Sequence, residues 1–381
     1  MTNGPLAGIR VIEVGQALAA PLAGVILADM GADVIKVEKP DGGDDARLWG
    51  PPFFDGDSLF FHAMNRNKRS IALDIKSPAD IARLHSLADT ADILIQNLRP
   101  GTVDECGIGP EAMLEAHPQL IYCSIWAFGY QGPLRLAPGF DPLLQAFGGL
   151  MSLTGRAEDP PTFAGAAVND KTTGMWCVIG ALAALQQRAR TGRGCLIDTS
   201  LFESAVALIE GAVNAYHVNG RVPPRHGTGS NLLVPYQVFS TADRPICIAA
   251  GNDRLFVKCA QAMGQPQWAA DPRFCDGRKR AEHRDALIAL MEPVLAASMR
   301  DHWMQVLSSA GVPCAPVNDI GELVQTEQLQ AIDLVRTLPD SDLKVVGLPI
   351  SFDRTRPHPH SDSPKLGAHT EELLQYTETN G

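Results

Sequence analysis

The chain has 381 residues, 45% hydrophobic and 20% charged, which is typical of a soluble globular protein long enough for two domains. Its net charge of −11 argues against nucleic-acid binding, which needs a basic surface. No apolar run is long enough to span a membrane, and the first residues lack the basic and apolar regions of a signal peptide, so we expect a cytoplasmic protein.

The first third of the chain alternates apolar strands with helices. The predicted strands and helices are, in order, 8–14, 21–30 (helix), 32–37, 71–75, 79–88 (helix), 91–95, 108–116 (helix) and 120–125. This alternation predicts a doubly wound α/β domain around a buried parallel sheet. The turn at 15–21 lacks the GxGxxG of a dinucleotide-binding fold, so NAD binding is disfavoured.

Residues 39–52 form a long irregular stretch, and loops of this length are commonly functional. Beyond it, Lys68, Arg69 and Lys76 form a basic group beside a predicted strand. Such a group suits phosphate binding, but charge patterning alone fits a solvated surface equally well.

The most informative stretch is 165–200, where Asn169 and Asp170 precede a helix at 171–190 that is apolar on nearly every face. A helix of this kind is expected in a core. Asp170 at its start has two interpretations. It is either an ordinary helix cap or a functional carboxylate kept ionised by the helix dipole.

The composition changes at 221–230, after which 236–241 and 244–250 resemble an antiparallel pair, followed by helices at 255–263, 284–297 and 302–310. We therefore expect a large α/β domain of residues 1–215 with 330–381, a small α+β domain of residues 225–325, and linkers at about 216–230 and 318–330. The eight cysteines have no metal-binding spacing, so we expect reduced cysteines and no metal site.

Eight features in this order resemble the class III CoA-transferases, relatives of the formyl-CoA and carnitine CoA-transferases. They are 31–38 (GADVIKVE), 67–71 (NKRSI), 97–101 (NLRPG), 148–155 (GGLMSLTG), Asp170 with its helix, 190–194 (RTGRG), 311–314 (GVPC) and 366–370 (LGAHT). The resemblance implies a CoA-transferase with a Rossmann-like large domain, a small α+β domain and an interlocked homodimer. Its substrates would be an acyl-CoA and a small carboxylic acid, with no metal.

The resemblance also implies roles for particular residues. Asp170 matches the catalytic aspartate, which would form an aspartyl anhydride and then an aspartyl-CoA thioester. Positions that match the family's CoA contacts are Ala17, Leu18, Ala19, Lys39, Leu73, Lys76, Asn97, Leu98 and Cys106. Two positions depart from the pattern, since Glu105 and Pro138 stand where formyl-CoA transferases have basic residues. We expect the oxyanion donors in 249–253 (AAGND).

Two alternatives remain. An α-methylacyl-CoA racemase needs a second acid/base, a histidine in a Gly-His-Asp motif, and here Phe140 stands between Gly139 and Asp141. A catalytically idle CoA-binding protein would keep the fold without the chemistry.

Overall fold

The structure is a computed structural model that describes residues 4–230 and 232–380. It divides into a first unit of Met1–Leu150, Ala164–Glu210 and Gln328–Gly381 and a second unit of Met151–Phe163 and Gly211–Glu327. The segment 151–163 thus groups with the second unit, whereas the sequence placed it in the large domain. Its strand pairs antiparallel with the strand at His226–Gly227, and these backbone hydrogen bonds explain the grouping.

The β-strands are, in chain order, β1 (Arg10–Val14), β2 (Asp33–Glu38), β3 (Phe53–Phe54), β4 (Asp57–Ser58), β5 (Lys68–Ala72), β6 (Ile93–Gln96), β7 (Ile121–Trp126), β8 (Gly155–Arg156), β9 (Leu196–Ser200), β10 (His226–Gly227), β11 (Tyr236–Phe239), β12 (Ile246–Ala249), β13 (Cys314–Pro316), β14 (Val335–Thr337) and β15 (Lys344–Val346).

The α-helices are α1 (Ala19–Asp29), α2 (Leu59–Asn65), α3 (Pro78–Ala88), α4 (Thr102–Glu105), α5 (Pro110–Ala116), α6 (Asp141–Phe147), α7 (Val168–Thr191), α8 (Leu201–Leu208), α9 (Glu210–Asn219), α10 (Asp253–Ala262), α11 (Gly277–Glu282), α12 (Arg284–Ala296), α13 (Arg300–Ser309), α14 (Ile320–Val324), α15 (Glu327–Ala331) and α16 (Thr370–Asn380). Short 3₁₀ helices lie at Asp45–Leu48, Leu150–Ser152 and Pro266–Ala270. No helix of the described ranges is long and apolar enough to cross a membrane.

A six-stranded parallel sheet in the order β5-β2-β1-β6-β7-β9 forms the centre of the first unit. Numbered by appearance, these strands run 3-2-1-4-5-6, the order of a Rossmann-like sheet. The order reverses between β1 and β6, and ligands of such folds bind at the carboxyl ends of the strands there. The predicted α/β fold with a parallel sheet is therefore confirmed.

Both faces of this sheet are covered because neighbouring residues of each strand point to opposite sides. On β1, Val11 belongs to the core beneath α1 and α7, whereas Ile12 belongs to the core beneath α3, α5 and α16. Helix α7 packs closely on α1 at Gly174, where an added Cβ would lie 2.7 Å from the carbonyl oxygen of Ala19. This contact fixes the start of α7 against the turn that follows β1.

Helix α7 is less buried than the sequence predicted. One side carries Cys177, Val178 and Ala181 in the core, but Met175, Trp176 and Ile179 on the other side are 47%, 48% and 54% exposed. The helix is therefore apolar on a face that the first unit of this chain does not cover.

The second unit contains a three-stranded antiparallel sheet in the order β11-β12-β13. The predicted hairpin is confirmed by the register of Tyr236 opposite Ala249 and Phe239 opposite Ile246. The core beneath it includes Phe256, Leu287 and Trp303 from the three predicted helices, now α10, α12 and α13. The third strand, β13, was not predicted.

Candidate active site

A cavity of about 440 Å³ lies at the carboxyl ends of β1, β6 and β7, beside the start of α7. Its walls combine short aliphatic, aromatic and acidic side chains with a single basic one, Arg99. Its lining residues include Ala17, Leu18, Ala19, Asn97, Leu98, Arg99, Trp49, Phe60, Trp126, Pro138, Phe140, Asp141 and Asp170. We call this the Asp170 cavity.

Asp170 lies in the first turn of α7 but is not its cap. The residue before the helix is Ala167, whose side chain cannot accept a hydrogen bond, and Val168 is the first helical residue. The cap comes instead from Asp141, whose Oδ1 accepts from the backbone N–H of Asn169 at 2.7 Å and of Asp170 at 3.2 Å. The interpretation of Asp170 as an ordinary helix cap is therefore wrong.

The carboxylate of Asp170 is left without a hydrogen-bond donor among the residues that the structure describes. Burial of the side chain, followed by the charge of Asp141, raises the pKa of Asp170 to about 7. The sequence predicted that the helix start keeps this carboxylate ionised. The raised pKa departs from that expectation because the side chain is buried and because Asp141 already occupies the positive end of the helix.

Asn169, the neighbour of Asp170, is completely buried. Neither its Oδ1 nor its Nδ2 has a hydrogen-bond partner within the described residues. A buried amide without partners is costly in the free protein. Asn169 does not line the Asp170 cavity, so this amide is a buried polar group beside Asp170 for which the described residues supply no partner.

The turn after β1 forms another wall of the Asp170 cavity. Asn97 holds it through both halves of its side-chain amide, since Oδ1 accepts from the N–H of Gln16 at 2.9 Å and Nδ2 donates to the carbonyl of Gln16 at 2.8 Å. Asp44 accepts from the N–H of Ala17 at 3.1 Å. Ala17 has φ of 66°, a left-handed conformation that costs energy in any residue but glycine. Asn97, predicted as a direct CoA contact, thus uses its amide to hold this turn.

A buried ionic cluster lies beneath the same turn. Glu13 accepts from Lys36 at 2.9 Å and from Lys68 at 2.7 Å, and all three side chains are fully buried. Lys36 also donates to the carbonyl of Gly15 and pairs with Asp44, both at 2.9 Å. Burial lowers the pKa of Lys68 to about 8 although Glu13 opposes the shift. We call Glu13, Lys36 and Lys68 the buried triad.

The basic group predicted from Lys68, Arg69 and Lys76 is not one surface. Lys68 belongs to the buried triad, and Arg69 pairs with Asp33 at 2.5 Å and with Glu372 at 3.0 Å. Both positive charges are therefore paired with acidic side chains of the same chain. Lys68 and Arg69 therefore fit neither a phosphate-binding group nor a solvated surface, whereas Lys76 is exposed and its role in phosphate binding stays a prediction.

Lys76 lines a second cavity of about 490 Å³ together with Lys39 and Leu73. We call it the lysine cavity. Gln16 and Leu98 line both cavities, so the two adjoin at these residues. Lys39 is paired with Asp45 at 2.7 Å, and this hydrogen bond raises the pKa of Lys39.

The structure therefore brings most of the predicted site residues together. Those in the Asp170 cavity are Asp170, Ala17, Leu18, Ala19, Asn97 and Leu98, and those in the lysine cavity are Lys39, Leu73, Lys76 and Leu98. Cys106 lines neither cavity, because it follows α4 and packs against the core beneath α3 and α5. Of the two departures from the family pattern, Pro138 lines the Asp170 cavity and Glu105 lies exposed at the end of α4.

Some residues of the site were missed by sequence reasoning. Trp49 lines the Asp170 cavity from the stretch 39–52, which was expected to be irregular but contains a 3₁₀ turn. Phe60 lines the cavity from the unpredicted helix α2. Asp141 was noted only as the neighbour of Phe140. The Asp-Pro pair at 141–142 is a signal for a helix start that would have found α6. The stretch 249–253 lies in the second unit, and its role in oxyanion binding stays a prediction.

The profile of CoA-transferase family III matches residues 6–370 of the chain. The chain belongs to this family. The resemblance drawn from the sequence is confirmed, and the protein is a CoA-transferase.

Individual relatives are similar in sequence to this chain over nearly its whole length. The acetyl-CoA:oxalate CoA-transferase of Acetobacter aceti is 36% identical over 366 residues, covering 96% of this CoA-transferase and 93% of the relative. The succinate–glutarate CoA-transferase of Agrobacterium fabrum is 38% identical over 384 residues, covering 98% and 96%. A crystal structure of a CAIB/BAIF family protein from Brucella suis matches with a TM-score of 0.88 and 36% identity over 99% of this chain and 100% of that one.

Proposed function

We propose that this CoA-transferase moves CoA from an acyl-CoA donor to a free carboxylic acid through covalent intermediates on Asp170. The observation that carries the proposal is the Asp170 carboxylate itself. It lies in a cavity wall with no hydrogen-bond donor among the described residues, and its pKa is about 7. An anion that is poorly stabilised is a better nucleophile than one bound by several N–H groups.

The reaction then consists of four acyl transfers. An Oδ of Asp170 attacks the thioester carbonyl, the C–S bond breaks, and CoA leaves as the thiolate while an anhydride forms. The thiolate attacks the aspartyl carbonyl of that anhydride and expels the donor acid, leaving an aspartyl-CoA thioester. The acceptor carboxylate repeats these two steps in reverse and restores the Asp170 carboxylate. No step needs a proton donor, so one reacting carboxylate without a histidine base suffices.

The two adjoining cavities suit the two ends of an acyl-CoA. We place the nucleotide end in the lysine cavity, where Lys76 is an exposed cation and Lys39 is held by Asp45. Phosphate groups favour such cations. The thioester then passes Gln16 and Leu98, which line both cavities, and reaches Asp170.

The acceptor is proposed to be a small dicarboxylic acid. The two relatives described above are named for oxalate, succinate and glutarate. In this chain Arg99 is exposed and is the only basic side chain among the described residues that line the Asp170 cavity. A second carboxylate of the substrate would pair with it, because a guanidinium binds carboxylates well.

A homodimer is proposed as the working form. The exposed apolar residues Met175, Trp176 and Ile179 on α7 form a face that monomeric proteins rarely leave uncovered. A second copy of the chain would cover this face. The interlocked arrangement implied by the family resemblance is part of this proposal.

The racemase alternative has no support in the cavity. Phe140 lines the wall at the position where that chemistry needs a histidine, and no histidine lines the Asp170 cavity among the described residues. Incubation of the protein with an acyl-CoA in heavy water should therefore leave the α-carbon without deuterium, whereas a racemase would exchange it.

The experiment that tests the proposal compares the parent protein with Asp170→Asn in CoA exchange between succinyl-CoA and a panel of free acids. We expect the variant to stay folded, since the helix cap is Asp141, and to lose turnover by about a thousandfold or more. Asp342→Asn, on an exposed carboxylate of the same unit, is the matched control and should stay active.

A chemical trap tests the covalent step directly. Borohydride added during turnover should reduce the activated carboxyl and convert Asp170 into homoserine, which mass spectrometry of the peptide detects. An unmodified peptide together with an active Asp170→Asn variant would refute the covalent role of Asp170.

A further inference from the structure

We infer that Asp141 is a positioning residue for Asp170: it occupies the N–H groups at the start of α7, so the Asp170 carboxylate is left unbound and faces the negative charge of Asp141 instead. The inference rests on the proposed role of Asp170 as nucleophile. It adds a residue that the sequence did not single out and whose own side chain does not react.

The contacts of Asp141 are made on both of its oxygens. Its side chain is buried, Oδ1 accepts from the N–H groups of Asn169 and Asp170, and Oδ2 accepts from Nε2 of Gln145 at 2.5 Å. Gln145 is itself fixed, since its Oε1 accepts from the N–H of Ala164 at 2.8 Å. The Asp141 carboxylate is therefore held in one place by α6, α7 and the segment before α7.

The position of Asp141 decides what the helix start does to Asp170. Free N–H groups at a helix start attract and stabilise any nearby carboxylate. Because Asp141 accepts from these N–H groups, they are not available to the Asp170 carboxylate. Asp170 therefore gains no such stabilisation and faces the negative charge of Asp141 instead. The raised pKa of Asp170, caused by burial and then by Asp141, agrees with this arrangement.

Other charges around Asp170 within the first unit are few. The Asp170 cavity is also lined by Asp45 from the 3₁₀ turn and by Arg99 from the loop after β6. Helix α1, strand β7 and helix α8 contribute only uncharged side chains to it, among them Ala19, Trp126 and Leu201. Of the charged groups, Asp141 is the one that shifts the pKa of Asp170.

The test is Asp141→Asn, because asparagine caps a helix about as well as aspartate but carries no charge. The rate constant kcat/KM for the acyl-CoA donor reports titration of the free enzyme. For the parent we expect it to rise with pH to a plateau with a midpoint near 7. In the variant the midpoint should fall by on the order of one pH unit, while burial keeps it above that of a free aspartate.

In practical terms, at about pH 6 the variant should keep about half of its plateau value, against about one tenth for the parent. Using the same donor for both proteins cancels the titration of the donor phosphates. A residue that only braces the fold would lower the plateau without moving the midpoint. An unchanged midpoint, or one moved to higher pH, would overturn the inference.

A second variant guards against misfolding. In Asp141→Asn alone, the new side-chain N–H₂ group can face the N–H₂ group of Gln145, which leaves two donors together. The double variant Asp141→Asn with Gln145→Glu supplies an acceptor for the new N–H₂ group and keeps one for the N–H of Ala164. The midpoint should still lie below that of the parent, because the charge has moved away from the helix start. An active Asp170→Asn protein would refute the proposed function, whereas an inactive one with an unshifted Asp141 profile would refute this inference alone.

Discussion

The substitution Asp170→Asn should stabilise the free protein at high pH even as it removes activity. The native pKa of Asp170 is about 7, against a reference value of 3.8 in a free side chain. Because the folded protein binds this proton more tightly than the unfolded chain does, the contribution of Asp170 to stability is complete below the unfolded pKa. It is lost as pH rises through the folded pKa.

The size of the effect follows from the shift. About three pH units at about 1.4 kcal/mol each give an upper limit of about 4 kcal/mol for the cost of ionising Asp170 in the fold. The side chain is partly accessible, so we expect about 2–4 kcal/mol. The stability difference between Asp170→Asn and the parent should increase by this amount between about pH 4 and pH 8.

Urea unfolding of both proteins at several pH values measures this difference, with Asp342→Asn as the control that should follow the parent. The two structural units can unfold separately, so the transition of the first unit should be followed by its own probe. A difference that is independent of pH, or an Asp170→Asn protein that is less stable than the parent near pH 8, would refute the reasoning.

Other substitutions test the remaining parts of the site. Lys76→Ala should raise KM for the acyl-CoA about tenfold with little change in kcat, because phosphate contacts persist through the reaction. Steady-state kinetics measure this, with Lys344→Ala as the exposed control. An unchanged KM would remove Lys76 from the site. Asn169→Leu should leave thermal stability equal or higher, because it deletes two buried groups that lack partners. It should nevertheless lower kcat, because Asn169 directly precedes Asp170, and an unchanged kcat would mean that the amide takes no part in the reaction. Trp176→Asp should reduce the dimer fraction in light scattering at micromolar concentrations, and a fully retained dimer would place the interface elsewhere.

The sequence predicted the sheet well where strands are short continuous apolar runs. Strands β1, β2, β6 and β7 are of this kind, and each was found to within about three residues at either end. Strand β5 was placed too late because it starts with Lys68 and Arg69, which look like surface residues. Their burial depends on acidic partners on other elements, and no local pattern reveals those partners.

The site shows the same contrast between features read from local sequence and features set by contacts between distant elements. Family resemblance led to Asp170, which the structure places with most of its predicted neighbours, but the argument from the helix start gave the wrong direction for the pKa of that carboxylate. The raised pKa depends on burial and then on Asp141, which is distant in sequence and is brought next to Asp170 because α6 packs at the start of α7. Asn97 was expected to face the ligand, yet its amide is committed to the backbone of Gln16. Pairings of this kind are set by tertiary structure, so single-sequence reasoning has no access to them.

The buried triad also sets the alignment of the sheet. Apolar strands can slide past each other at low cost, but Glu13 on β1 lies directly opposite Lys36 on β2 and also meets Lys68 on β5. A slip by one residue would turn these side chains to the other face and bury unpaired charges, at a cost of several kcal/mol. Lys36 also donates to the carbonyl of Gly15, at the start of the turn that follows β1. The ion pairs that exclude misaligned strands therefore also fix the position of this turn, which forms a wall of the Asp170 cavity.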